Sequence, residues 1–489
     1  MNLSRWRETV NRYIVNAIIL VIAWGGMFRR AFNCDTLAHM VNAWGDIEHR
    51  MTHGRYLSAF QDWLLYQMGL STASHTGITA MVEVALLAFA VCILQSCFEE
   101  KIGKPSGIYE QLAWTAIFSL VFTNVLFAES FMFGECALMF GIAYLLAALG
   151  IWAFTRRKYG LAFLFFILST LEYQTAVIYA AIVLSAWIFI DSECRITVKT
   201  VILEIVCGVI TIGAGVLNML SLSLLARLGV VKEAARSADV HDWVQKAAKC
   251  MTDLGQVLLN SRGLLPKVGL PFMVLCIAMG IVIWKFWKEK KLYAIIYYIL
   301  LVVGMLAMVY LLPMLQPDTR TYPRIIWTFY SMQAMLFLIA FWLMTKKGKE
   351  VLCYICGAYL LVQILFCNII VTNHMVSNTL DKTYAMMVYE KIVEYEEETG
   401  QEVKKLAVAN DIDCPFSYNN VYYKTDQINE RALGTVSNTM VNIASGREFE
   451  KVPMDETVYQ TYFGDQNWDY FDASEQLVII GDTAYWMIF

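Results

Sequence analysis

Residues 29–67 concentrate the side chains best suited to chemistry. Asp35, Asp46, Glu48 and Asp62 lie there with His39, His49 and His53, half of the chain's six histidines, and with Arg50, Arg55, Trp44, Trp63, Tyr56 and Tyr66. A carboxylate just past an apolar segment and under a polar loop can act as a general base or a metal ligand, and Asp35 has that place. It also precedes the helical-looking TLAHMVNAWGDI, where Asp is a favoured N-cap, so the residues alone leave both roles open. His39 follows at i+4, on the same face of a helix; with no third ligand fixed by spacing, the pair is a weak metal motif. Arg55, in THGRYLS, offers a planar fork for a phosphate or carboxylate, and Arg320 and Arg324 offer the same chemistry from PMLQPDTRTYPR, 313–324. Anchoring to lipid headgroups is the plainer role for each. Glu129 and Glu135 bracket the turn ESFMFGE, and Glu172 stands beside Tyr173 and Gln174 at a break in an apolar run. Their plain reading is that turn carboxylates reach the headgroup layer. Glu83 and Glu204 fall within apolar segments, where pairing with a neighbouring helix is expected.

The elements that must position these residues cross a membrane. A hydrophobic fraction of 58%, a charged fraction of 16% and a mean hydropathy of +0.51 exceed what a soluble domain needs. With roughly 20 apolar residues per crossing, spans are expected near 13–28, 77–97, 110–127, 132–154, 201–225, 268–287, 292–312, 325–345 and 351–371. The run 161–190 is too long for one span and has basic flanks at both ends, which favours two short helices meeting at Glu172-Tyr173-Gln174. The expectation is an all-α polytopic protein of about eleven transmembrane helices. The short basic segments 1–12, 99–107, 155–158, 194–199, 285–291 and 346–349 belong in the cytoplasm by the positive-inside rule. That places loops 29–76, 226–267 and 313–324 outside, on one side with Asp35. The loop 226–267 has Val240, Trp243, Val244, Ala247 and Ala248 on one helical face and is expected to lie along the membrane surface. No cleavage motif follows the basic N-terminus, so a retained first span is expected.

From about residue 372 the composition turns soluble. An amphipathic helix over 381–400 and buried strands at 404–410 and 475–481 indicate a small extracytoplasmic α/β domain over 372–489, beside a transmembrane domain over 1–371. The twelve cysteines sit mostly in apolar runs and read as small core residues. Walker loop, dinucleotide fingerprint, nucleophile elbow and HExxH are absent from the sequence, and neither nucleotide-dependent soluble chemistry nor nucleic acid binding is indicated.

In order along the chain, Asn33 and Asp35 after the first span, Trp44, then Gly54-Arg55, Tyr173-Gln174 between short helices, Pro323-Arg324, and Asn368 ahead of a Tyr-rich helix resemble the O-antigen-modifying, serotype-converting bacterial glucosyltransferases of the Gtr type II kind. These belong to the GT-C membrane glycosyltransferases, which take sugar from a polyprenyl-phosphate carrier on the outer face. The resemblance implies a GT-C-like fold in the bacterial cytoplasmic membrane and transfer of a hexose, glucose by analogy, to a cell-surface glycan. Asp35 would be the essential acidic residue of the first outer loop, as base or substrate binder, and Arg55 and Arg324 would face the donor phosphate, for which the residues alone also offer Arg320. Tyr173 and Gln174 would line the substrate site, and His39, Trp44, Glu129, Glu135 and Glu172 are taken as further candidates for it. Family members often carry two adjacent aspartates where this chain reads Cys34-Asp35-Thr36, which leaves a divalent metal open. The rival readings are a flippase or exporter of a lipid-linked sugar and a polymerase of lipid-linked glycans, which share the need for outer-face cations.

Overall fold

The computed structural model describes residues 3–232, 241–411 and 414–489. An apolar run in lipid must pair its own backbone N–H and C=O groups, and it does so as a helix. The chain begins with α1 (Leu3–Trp24), and the polar stretch after it divides into α2 (Cys34–Val41), α3 (Ala43–Thr52) and α4 (Tyr56–Gln67). Next come α5 (Thr76–Ile102), α6 (Ile108–Ser119), α7 (Ala128–Met132), α8 (Ala137–Thr155), α9 (Tyr159–Glu172), α10 (Thr175–Asp191) and α11 (Val198–Arg227). After them lie α12 (Trp243–Asn260), α13 (Leu270–Lys288), α14 (Leu292–Val309), α15 (Leu311–Leu315), α16 (Pro323–Ile326), α17 (Thr328–Leu343) and α18 (Lys346–Thr399).

Among the described residues, eight helical segments are long and apolar enough to cross a membrane. The shorter α9 and α10 meet at Tyr173 and Gln174, where the break was expected, and Tyr173 itself is extended. Of the 110–127 segment only residues 110–119 lie in α6, and Val125–Phe127 form a separate short 3-10 turn. Val201, Ile205, Val209 and Ile212 on α11 are exposed at helical spacing, as on a face that meets hydrocarbon. In loop 226–267, Val240 lies outside the described residues, while Trp243 and Val244 are exposed on α12.

The transition near residue 372 falls inside α18, one continuous helix of 54 residues. At 1.5 Å per residue it is about 80 Å long. Neither Gly nor Pro occurs between Gly357 and Gly400, so nothing interrupts it; Gly400, at φ +70°, ends it. The tail adds β1 (Lys405–Asn410), α19 (Leu433–Ser445), β2 (Glu450–Val452), α20 (Glu456–Tyr462), α21 (Ala473–Gln476), β3 (Leu477–Ile480) and β4 (Thr483–Ile488). The sheet order is β2-β1-β4-β3; β1 runs parallel to both neighbours, and β3 and β4 form an antiparallel hairpin. Phe32 and Leu37 pack into one core with Ala385, Val388, Ile392, Leu406 and Leu433. The tail is thereby seated on the polar stretch after α1.

Candidate active site

Asn33 is the N-cap of α2: its side-chain oxygen accepts from the Thr36 N–H at 2.7 Å, and the Thr36 hydroxyl accepts from the Asn33 N–H in return. The capping role open to Asp35 is therefore filled by Asn33. Asp35 stands half-buried in the first turn, where the helix dipole favours a carboxylate. It lines a cleft of about 540 Å³ with His39, Asp46, His49, Arg50, His53, Arg55, Glu135, Tyr173 and Arg324, against Phe133, Cys136 and Phe140.

Arg50 and Glu135 hold one wall. The Thr36 hydroxyl donates to Glu135 Oε2, and the Glu135 carbonyl accepts from Arg50 Nη2 at 3.0 Å. Buried Arg50 also reaches Asp46 Oδ2 at 3.2 Å, the Ser58 hydroxyl at 2.7 Å and Asp62. One guanidinium, with donors in a rigid fork, thus ties α3 to α4 and to the turn before α8. His39 Nδ1 lies 3.4 Å from Asp46 Oδ1, and the His49 ring is 6.3 Å from His39 and 4.3 Å from His53. Burial, with the Arg55 charge, holds His49 below its usual range, so it is neutral at pH 7. Burial pushes Asp62 up to about 6 against the pull of Arg50.

The opposite wall rests on Glu129. This fully buried carboxylate accepts from the Arg324 backbone N–H at 2.6 Å and pairs with its guanidinium. Burial raises the Glu129 carboxyl and Arg324 opposes the rise. The Arg324 guanidinium also packs 4.6 Å from the centroids of Phe133 and Tyr322. Tyr173 donates its hydroxyl to the Arg324 carbonyl at 3.3 Å, and its ring lies 5.0 Å from the Arg55 guanidinium. Gly54 sets the turn into α4 at φ +70°, and its carbonyl accepts from Asn218 Nδ2 at 2.7 Å. A Cβ there would fall 2.7 Å from Asn218 Oδ1, so both backbone and space call for glycine.

From this cleft the space continues away from Asp35. An adjoining cavity of about 880 Å³ shares His53, Arg55, Tyr173 and Arg324 and adds Gln174, Asn218, Met219, Leu312 and Leu315. A third space of about 520 Å³ shares Gln174, Met219, Leu312 and Leu315 and is otherwise walled by residues such as Val177, Ile178, Ile212, Val216 and Met308. Polarity falls step by step from acids and arginines to an apolar groove between α10, α11 and α14.

Residues 26–341 match the family described as Glucosyl transferase GtrII, about two thirds of the chain. The chain belongs to that family. No curated protein and no solved structure gives a significant match. The GtrII segment starts just before the polar stretch and ends in α17, so it contains every cleft residue named above. A glucosyltransferase acting on glycans is what this membership supports, and the apolar helices make it a membrane protein.

In this GtrII-family chain, Asp35, His39, Arg55, Glu135, Tyr173 and Arg324 come together at the cleft, and Gln174 lines the adjoining cavity, donating to the His53 carbonyl at 2.8 Å. Glu129 stands behind Arg324. Trp44 is 50% exposed and donates to Glu48 Oε1 at 3.2 Å, away from the cleft lining. Arg320 is exposed and paired with Asp318. Glu172 is buried behind Arg50 and accepts from Gln61. Among the described residues, no group of three or more His, Cys, Asp and Glu side chains is arranged to hold a metal ion. His39 is turned to Asp46, and Asp46 and Asp62 are taken up by Arg50, so this donor set does not fit one.

Arg50 was named from the sequence without a role, and Glu430 and Gln427 were not singled out. Arg50 carries a local signal, Asp46 at i−4, which marks an ion pair on one helix face. Glu430 and Gln427 carry none. Glu430 Oε2 accepts from Cys34 Sγ at 3.6 Å, and Gln427 Oε1 accepts from Arg324 Nη1 at 3.1 Å, across separations of 396 and 103 residues. Burial raises Glu430 to about 7; the Cys34 contact lowers it and the Asp35 charge adds to the rise.

Proposed function

We propose that the protein transfers a hexose, glucose by its family, from a polyprenyl-phosphate donor to a cell-surface glycan on the outer face of a bacterial cytoplasmic membrane. The observation that supports this reading is the graded path from cleft to apolar groove. A sugar and its phosphate suit the end with Asp35, Arg55 and Arg324, and a hydrocarbon chain suits the walls of Val177, Ile212, Val216 and Met308. A donor already linked to lipid phosphate needs no nucleotide-binding fold.

In the reaction, the acceptor hydroxyl gives its proton to Asp35 as its oxygen bonds to the anomeric carbon. The bond from that carbon to the phosphate oxygen breaks, and the electron pair leaves on a phosphate facing Arg55. Arg324 is committed to Glu129 and Gln427, so it acts mainly by shaping the cleft and adding positive charge to it. The short basic segments support an N-terminus in the cytoplasm by the positive-inside rule, with cleft and tail outside.

The test is transfer by purified protein in nanodiscs, offered radiolabelled polyprenyl-phosphate glucose or a nucleotide-activated glucose, with a glycan acceptor. Transfer from the lipid donor alone is expected. Equal use of the nucleotide sugar would overturn the donor assignment, and lipid-linked sugar crossing proteoliposomes without transfer would support an exporter.

A further inference from the structure

The cleft has two neighbouring spaces, and it shares different residues with each. The cavity that leads to the apolar groove shares His53, Arg55, Tyr173 and Arg324. A separate space of about 280 Å³ shares His39 and Asp46 instead, and it is lined further by Ala43, Tyr66, Ser71 and Thr72, on α3, α4 and the turn before α5. Tyr66, Ser71 and Thr72 each carry a hydroxyl, so this side lacks the hydrocarbon character of the other.

Aromatic rings stand in the open beside it. Trp44 follows Ala43, and its ring meets the Tyr66 ring edge-on with centroids 6.2 Å apart. Trp44 is 50% exposed and Tyr66 is 47% exposed. Large apolar rings left exposed next to a pocket mark a binding surface. Anchoring in the membrane interface is the other use of exposed aromatics, and α4 has a separate stripe for it. There Phe60 stacks on Trp63 at 5.8 Å, and Leu64 and Met68 continue the exposed apolar row at helical spacing. Trp44 is set in a polar surface, beside exposed Asn42 and Glu48, and its indole N–H donates to Glu48 Oε1 at 3.2 Å. That bond engages the edge of the ring and not its faces.

A sugar ring suits this surface, because its C–H faces pack on aromatic rings while its hydroxyls donate to a carboxylate such as Glu48. The same carboxylate disfavours an anionic sugar. Which substrate lies here follows from the transfer reading, on which this inference rests. The phosphate and lipid of the donor take the side of Arg55 and Arg324, so the attacking hydroxyl arrives from another side. We propose that Trp44, Tyr66 and Glu48 bind the acceptor glycan, holding an uncharged sugar residue next to the one whose hydroxyl gives its proton to Asp35. The His39–Asp46 pair, which lines both spaces, then stands between those two sugar residues.

The test uses the full-length protein in nanodiscs and reads transfer kinetics and binding side by side. At saturating polyprenyl-phosphate glucose, Trp44→Ala is expected to raise the KM for the acceptor about tenfold, the size of one lost ring contact, while the KM for the donor stays within about twofold. Trp44→Phe, which keeps a ring, should restore most of the affinity. Trp63→Ala, on the apolar stripe of α4, should leave the acceptor KM unchanged. An unchanged acceptor KM in Trp44→Ala, or an equal rise in Trp63→Ala, overturns the proposal; the second outcome would make Trp44 a membrane anchor. Binding without donor is read by saturation-transfer NMR with maltotetraose, mannotetraose and chitotetraose, and with tetragalacturonate as the acidic counterpart. If the wild type transfers nothing, the transfer reading fails, and binding of a neutral tetrasaccharide that Trp44→Ala abolishes still supports a glycan site here. With neither transfer nor binding sensitive to Trp44, both fail. Tetragalacturonate binding as tightly as the neutral probes overturns the assignment of an uncharged sugar.

Discussion

A fully buried carboxylate whose ion-pair partner is one arginine makes its surroundings brittle, and Glu129 is that residue. Arg324→Gln leaves Glu129 with a backbone N–H but no countercharge, and a loss of about 3–5 kcal/mol in unfolding free energy is expected. The double change Glu129→Gln, Arg324→Gln should recover much of that loss, because no charge is then buried alone; chemical denaturation of the three proteins measures it. Glu430 gives a pH dependence of defined sign. Its carboxyl ionises near 7 in the folded protein against an ordinary 4.5, so the folded state holds the proton more tightly. That contribution is complete below about 4.5 and is lost as pH rises through about 7. Unfolding midpoints should show Glu430→Gln gaining on the wild type across this window and leading above pH 7. Asp35, Arg55 and Arg324 were legible as candidates because a charge at the mouth of an apolar span is a local signal. Which of the two readings of Asp35 applies was not legible, since it turns on Asn33 taking the cap. Arg320 carried the same signal as Arg324, and only the neighbouring Asp318 set it apart.

At the scale of elements, the cleft depends on how α4 is entered and how the apolar groove is walled. Gly54→Ala places a methyl group against Asn218 in a left-handed backbone, which shifts Arg55 at the head of α4. A fall in kcat of about tenfold is expected, roughly 1.4 kcal/mol, with part of it restored by Asn218→Ala; steady-state transfer kinetics read it. Met219 stands where the polar cavity passes into the apolar groove. Met219→Trp should raise the KM for a long-chain polyprenyl donor about tenfold and change that for a short-chain donor far less. Apolar length and the broken run 161–190 made the helices and the α9–α10 junction readable. The continuity of α18 was not read, because a drop in hydropathy at residue 372 marks a change of solvent and does not stop a helix that lacks Gly and Pro. Strands β2 and β4 were missed for a related reason: β2 has three residues, and β4 is buried at five of its six positions without clean alternation.

The whole molecule sets the tail directly over the polar stretch. Asp426 pairs with Arg262 at 3.0 Å, Gln427 reaches Arg324, and Glu430 reaches Cys34, so one loop of the tail touches three parts of the membrane region. The GtrII match ends at residue 341, ahead of all three tail residues. Long-range contacts of this kind leave no mark in local periodicity, and only the folded chain brings them together. The account stands most directly on Asp35, a carboxylate that lines the cleft and is not needed to cap its helix. Glucosyl transfer from polyprenyl-phosphate glucose should be measured for wild type and Asp35→Asn in nanodiscs, with unfolding midpoints alongside. A fall of at least about a hundredfold in kcat at unchanged stability is the predicted result. Transfer at the wild-type rate by Asp35→Asn would contradict it.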